Sequence, residues 1–305
     1  MKVLVTGGSG FVGRRLQKEK PEWVYLSSSD CDLLSMESTT TFFEEASPDA
    51  IVHLAGIVGG IKHNTEKQAE FLFLNTRINT NVIESARRAG VPRVLASLST
   101  CAFPDKMSEY PFVEEDLFSG PPADTNFSYS IAKRHLHVMC AAYRKQYGLN
   151  YSTFSPSNIY GPADDYESEY SHFVPALIKK VSEAASGTAI ELWGDGSEMR
   201  QQLYVDDLAK IIPVLLERHN SADPIIVAPN ENLTIDRMAK TLVQQVDKEV
   251  RIIYNNKHPG QQRKDGSNSR LMGLLSQTFK FTSFEKGVGL SYKWFSKEKG
   301  RSNVK

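Results

Sequence analysis

The stretch Lys2-Val3-Leu4-Val5-Thr6-Gly7-Gly8-Ser9-Gly10-Phe11-Val12-Gly13 decides the fold. A short β-branched run stops at a pair of glycines. From Gly10 to about Lys20 the apolar residues recur at helical spacing, so the segment reads as strand, turn and helix. Glycines stand at 7, 10 and 13, and Gly8, Gly10 and Gly13 also satisfy the stricter G-x-G-x-x-G frame. Missing Cβ atoms at such a turn let backbone amides approach a pyrophosphate, and the helix N-terminus adds partial positive charge. A tight turn that merely needs positive φ is the blander reading, and the strand-turn-helix context weighs against it.

Working outward, four more short apolar runs follow: Trp23 to Leu26, Ile51 to Leu54, Val94 to Leu98 and Tyr151 to Phe154. Segments long enough for crossover helices separate them. The first half is therefore an α/β, Rossmann-type doubly wound parallel sheet with right-handed crossovers. Two crossovers, about Ala69 to Arg88 and Tyr129 to Tyr147, lack internal proline and end at Gly90 and Gly148. After Phe154 the punctuation changes to Pro156, Gly161, Pro162 and Pro175. A helix over 173–185 and an alternating strand from Ala189 to Trp193 follow, as part of a smaller α+β unit. The amphipathic stretch 203–218 reads as a return to the first unit. The expected division is 1–157 with about 203–220 for the dinucleotide, and 158–202 with 221–305 for the substrate.

Lys plus Arg and Asp plus Glu both total 36 in 305 residues, so the net charge is zero. No nucleic-acid or membrane surface is indicated, and a small-molecule partner is expected. Cys31, Cys101 and Cys140 form neither a disulfide framework nor a metal-ligand pattern, so no metal is expected and the compartment reads as reducing and cytoplasmic. No signal peptide is read at Met1, and no apolar stretch approaches the roughly 20 residues of a membrane span.

The second strand runs into Ser27-Ser28-Ser29, with Asp30 and Asp32 arriving late. A carboxylate at that strand end holds the ribose 2′-hydroxyl of NAD and repels a 2′-phosphate, so NADPH is the expected cofactor. Arg14 and Arg15 are candidate phosphate partners, with solvated helix arginines as the alternative.

Tyr129 and Lys133 stand four residues apart, hence on one helix face. A free phenol titrates at about 10, and a nearby cation lowers that value, making Tyr129 a proton donor and acceptor beside a carbonyl. Lys133 is free to bind the cofactor ribose. The pair alone is weak, since surface helices carry it by chance. Ser99 strengthens it, because it lies just past the fourth strand at the edge where such sheets bind ligands. Its alternative role is a loop-capping serine.

These features, with Leu54-Ala55-Gly56, resemble the extended short-chain dehydrogenase/reductase family. The blocks 53–61, 99–104, 156–162 and 193–200 are similar to its GDP-L-fucose synthase branch, with weaker similarity beyond about residue 210. The resemblance implies inversion at C3 and C5 of GDP-4-keto-6-deoxy-D-mannose followed by NADPH-dependent reduction at C4, and a homodimer built on the helices 64–89 and 129–147. It assigns the cofactor to Gly7, Gly10, Phe11, Val12, Gly13, Leu54, Ala55, Tyr129 and Lys133. It assigns catalysis to Ser99, Cys101, Tyr129, Lys133 and His172, with Cys101 and His172 moving the epimerising protons. The GDP-sugar falls to Asn158, His172, Trp193, Arg200 and Lys264, the last equally readable as a solvated lysine. Away from that pattern, Cys101 and His172 would read as a small buried hydrophobe and a structural histidine.

The chain departs from the family at Gly56, at Ala163-Asp164-Asp165 and at His258-Pro259-Gly260. Two other functions compete. A nucleotide-sugar 4-epimerase or 4,6-dehydratase shares the Tyr/Lys pair, but the dehydratases carry an acidic pair where Thr100 and Cys101 stand. A non-catalytic cofactor-binding module would have no use for the intact set of polar groups.

Overall fold

The computed structural model describes residues 1–246, 248–257 and 261–302, with side chains through 299; His258-Pro259-Gly260 lies outside the described residues. In chain order the first half contains β1 (Val3–Thr6), α1 (Phe11–Glu19), β2 (Val24–Tyr25), α2 (Met36–Ala46), β3 (Ala50–His53), α3 (Ile61–Glu66), α4 (Gln68–Arg88), β4 (Arg93–Ser97), α5 (Phe127–Tyr147) and β5 (Asn150–Pro156). The second half contains β6 (Asn158–Tyr160), α6 (Phe173–Glu183), β7 (Thr188–Leu192), β8 (Met199–Tyr204), α7 (Val205–Arg218) and β9 (Ile225–Val227). After these come β10 (Asn232–Thr234), α8 (Ile235–Val243), β11 (Val250–Tyr254), β12 (Arg263–Lys264), α9 (Ser269–Leu274) and α10 (Phe284–Ser302).

The large sheet is wholly parallel, in the order β2-β1-β3-β4-β5-β9. Strand alternation sorts its side chains into two cores. Leu4, Ile51, Val94 and Ile226 face α2, α4 and α5, while Val3, Val5, Val52, Leu95 and Val227 face α1, α7 and α9. Burial on both faces explains why these strands read as continuous apolar runs. Chain order reverses between β1 and β3, so a crevice opens at their C-terminal ends, where doubly wound sheets bind ligands.

Two expectations on the joins need correction. Residues 225–227, expected in the smaller unit, form the sixth strand of the large sheet, and α9 packs on the same layer. A three-residue run after Pro224 is too short for any periodicity to show. Residues 203 and 204 end β8, so the return helix starts at Val205. Arg93 on β4 then grips the end of that helix, donating to the carbonyls of Leu216 (3.0 Å), Leu215 (3.1 Å) and His219 (2.6 Å).

The remaining chain builds a sheet in the order β10-β8-β12, joined by β6 on β8, and a parallel β7–β11 ribbon. Val174, Leu177 and Val181 of α6, Met238 and Leu242 of α8, and Phe284 and Val288 of α10 form its own core. No described helix is long and apolar enough to cross a membrane.

Candidate active site

The glycine turn is built for close approach. Gly7 has φ +73°, and a Cβ there would lie 2.8 Å from the Ala55 amide nitrogen, so β1 and β3 meet through bare backbone. At Gly8 a Cβ would meet Tyr25 Cβ at 2.6 Å. No side chain caps α1 at Gly10, which leaves the first-turn N–H groups of Phe11, Val12 and Gly13 to meet an anion. An uncapped helix start over a cradle that any Cβ would fill fits a dinucleotide pyrophosphate.

The basic partners divide. Arg15 is held by Asp206 on α7, its Nη2 2.5 Å from Oδ2, so it is a helix-to-helix tie and not an open phosphate ligand. Arg14 lies over the turn, donating to the carbonyls of Ser9 (2.9 Å) and Ala163 (3.2 Å). Asp30 folds back to accept from the Ser27 amide (2.8 Å) and hydroxyl (2.6 Å).

Beneath the crevice, His53 bridges four elements. Asn79 donates its amide to Ala132 O at 3.1 Å, so its Oδ1 accepts from His53 Nε2 at 3.1 Å, and His53 Nδ1 accepts the Thr6 hydroxyl at 2.7 Å. Full burial, and then the charge of Lys133, push the imidazole down to about 3, so it stays neutral. Asn75 pins the following loop, its Oδ1 2.9 Å from the Ile57 amide. A Cβ at Gly56 would crowd that same oxygen at 3.0 Å.

Helix α5 uses two ridges four residues apart. Tyr129 and Lys133 form one; Lys133 Nζ donates to Ser97 O at the end of β4 (2.8 Å) and lies 5.7 Å from the centre of the Tyr129 ring. Ser130 and Arg134 form the other and hold the 3-10 turn Thr100–Ala102. Ser130 Oγ donates to Cys101 O (2.8 Å) and Arg134 Nε to Ala102 O (2.7 Å). Sequence reasoning passed over this second pair, although the same i,i+4 spacing was there to read.

Ser99 caps the 3-10 turn, its Oγ accepting from the Cys101 amide at 3.1 Å, and it lies near enough to Tyr129 to favour the phenolate. Capping and oxygen-holding are thus compatible roles. The expected lowering of Tyr129 by Lys133 does not occur here. Burial and the nearby Cys101 sulfur raise the phenol well above its ordinary range, against the influence of Ser99. Burial brings Lys133 down to about 8.

Lys264, from β12, lies against Cys101 with Nζ 2.8 Å from Sγ. Only 8% of it is exposed, which removes the solvated-lysine reading. Burial alone would raise the Cys101 thiol, but the charge and hydrogen bond of Lys264, Ser99 and the charge of Arg200 outweigh it and bring it below its ordinary value. Arg200 sits in register with Lys264 across β8 and β12. His172 directly precedes α6 and is exposed at its surface; loss of solvation and then the charge of Lys264 lower it, against Asp165. Gly60 permits this arrangement, since its amide donates to Tyr170 O (2.7 Å) and a Cβ would stand 2.6 Å from Ser171 O.

Asn158 lies on β6 opposite Gln202, and Trp193 follows β7 with 48% of its surface exposed. In the departing loop Ala163 takes φ +68°, and the half-buried Asp164 carboxyl, whose buried Oδ2 has no partner, is pushed up to about 7 by loss of solvation. Among the described residues no cluster of His, Cys, Asp and Glu is arranged for a metal, and all three cysteines are free.

The model of the NAD dependent epimerase/dehydratase family matches residues 3–228. The chain belongs to this family. Within it, the chain is 36% identical over 304 residues to the GDP-L-fucose synthase of Dictyostelium discoideum, covering 96% of this chain and 94% of that one. The GDP-L-fucose synthase of Escherichia coli K12 is 30% identical over 320 residues, covering 98% of each. A crystal structure of a GDP-L-fucose synthetase from Naegleria fowleri bound to NADP superposes with a TM-score of 0.88 at 30% identity, covering 98% of this chain and 93% of that one. The family fold is the parallel, doubly wound sheet expected from the opening motif.

Proposed function

We propose that the chain converts GDP-4-keto-6-deoxy-D-mannose to GDP-L-fucose, inverting C3 and C5 and then reducing C4 with NADPH. The observation that carries this reading is the placement of Cys101 on a turn pinned by α5, beside Ser99 and Tyr129, with the Lys264 ammonium against its sulfur.

One ketone serves every step. The C4 carbonyl acidifies the hydrogens on C3 and C5, and Cys101 and His172 carry the protons that leave and return at each carbon. Bound NADPH supplies the hydride. Ser99 and Tyr129 hold the ketone oxygen, and the protonated phenol delivers the proton that completes the alcohol. Lys133 sits below Tyr129 for the cofactor ribose, and Arg14 is the basic group left for the 2′-phosphate. Residues 1–157 and about 203–220, joined by β9 and α9, hold the cofactor; the rest, with Asn158, Trp193 and Arg200, receives the GDP-sugar. An arginine fork suits a diphosphate through paired hydrogen bonds.

We assign the enzyme to the cytoplasm, where a thiol such as Cys101 stays reduced. The homodimer joins copies through α4 and α5, whose outer faces carry exposed Leu72, Phe73, Val138 and Tyr147.

The test supplies GDP-4-keto-6-deoxy-D-mannose and NADPH, follows NADPH loss and identifies the sugar. GDP-L-fucose is expected. A 4-reduced sugar with C3 and C5 unchanged would remove the epimerising roles, and absence of NADPH consumption would leave a cofactor-binding module.

A further inference from the structure

Lys264 has a position that neither the redox pair nor diphosphate binding explains. It lies on a two-residue strand of the smaller sheet, yet its ammonium ends on a sulfur carried by the large one, 163 residues away in sequence. Both sides of that contact are fixed. Cys101 is held by Ser130 at its carbonyl and by Ser99 at its amide. The approach to β12 is tied to the same loop by Gln261, whose amide donates to Asp105 O at 2.7 Å. Arg263 and Asp265 pair with each other at 2.7 Å, so the neighbouring carboxylate is already engaged.

We infer that Lys264 is a positioning residue for the proposed epimerisation: its ammonium holds Cys101 as a thiolate, aimed into the cleft. This role rests on the reading of Cys101 as a proton carrier. An ammonium in contact with a half-buried sulfur favours its charged form. The groups facing that sulfur are Lys264 from β12, Arg200 from β8, and Ser99 and Tyr129 from the large unit. Arg200 acts on Cys101 too, after its pull toward Glu198, but Lys264 is the cation in direct contact with the sulfur and its charge acts ahead of that of Arg200. The same ammonium disfavours a second positive charge on His172. Because β12 belongs to the smaller sheet, the reactivity of Cys101 depends on the two units being joined.

The test is iodoacetamide alkylation of the full chain without substrate, followed against pH and read by peptide mass. Cys31 and Cys140 are buried, and burial raises both thiols, Cys140 to about 12, so the early signal belongs to Cys101. Lys264→Met and Lys264→Gln should each slow alkylation at pH 7 by about tenfold and move the profile to higher pH, while Lys264→Arg keeps most of the wild-type rate. NADPH binding, measured by fluorescence, should be unchanged and reports that each variant is folded. Profiles of the Met and Gln variants that overlay the wild type overturn the inference, as does loss of rate in the Arg variant equal to theirs. The readout needs no sugar, so a wrong substrate would leave it intact.

Discussion

The cofactor crevice and the Cys101 cleft are neighbours made in opposite ways. The crevice is backbone: Gly7, Gly8 and Gly13 work by lacking side chains, and every part of the turn lies within one short stretch. The cleft is side chain. Cys101, His172, Arg200 and Lys264 arrive from four segments and both sheets. A contiguous backbone device keeps its geometry through local chain constraints, whereas a dispersed one depends on how larger bodies dock. The two should therefore fail separately.

The largest separation is expected from Tyr129→Phe. Removing the phenol should cut NADPH oxidation by ~10²–10⁴-fold, while solvent deuterium still enters the sugar at C3 and C5. Equal loss of both signals would mean that the regions work as one. Next, Gly7→Ala forces an L-residue to φ +73° against Ala55, at a cost of about 1–2 kcal/mol before any overlap is relieved. NADPH affinity should fall at least ~tenfold with Cys101 alkylation preserved; unchanged affinity would show that the crevice tolerates what its geometry forbids. The smallest effect belongs to Gly60→Ala. A Cβ 2.6 Å from Ser171 O must push the 170–172 backbone and displace His172, slowing deuterium exchange by about five- to tenfold with NADPH binding intact. An unaltered exchange rate would detach His172 from the loop that carries it.

What the sequence revealed follows the same line. The strand-turn-helix opening, the long helices and the Tyr129/Lys133 spacing were legible because each is set by neighbours within one helical turn or one strand. Strand β9 was not, since Ile225-Ile226-Val227 is too brief to show a period and gains its place only by pairing with β5. Arg15 looked like a phosphate ligand from its position on α1. Its partner, Asp206, lies 191 residues away, a distance over which sequence carries no geometry. The Lys264 contact with Cys101 was hidden for the same reason, whereas the Ser130 and Arg134 grip was local and readable.

Helix α5 carries a consequence for how such a chain can change over generations. Residues on a helix advance about 100° each, so one residue inserted or removed between 129 and 134 turns both ridges away from their targets together. The phenol would leave the crevice as the clamp left the Cys101 turn. Point substitutions can tune reduction or epimerisation singly, but the length of this segment is inherited as a unit, and drift in it is closed off twice over.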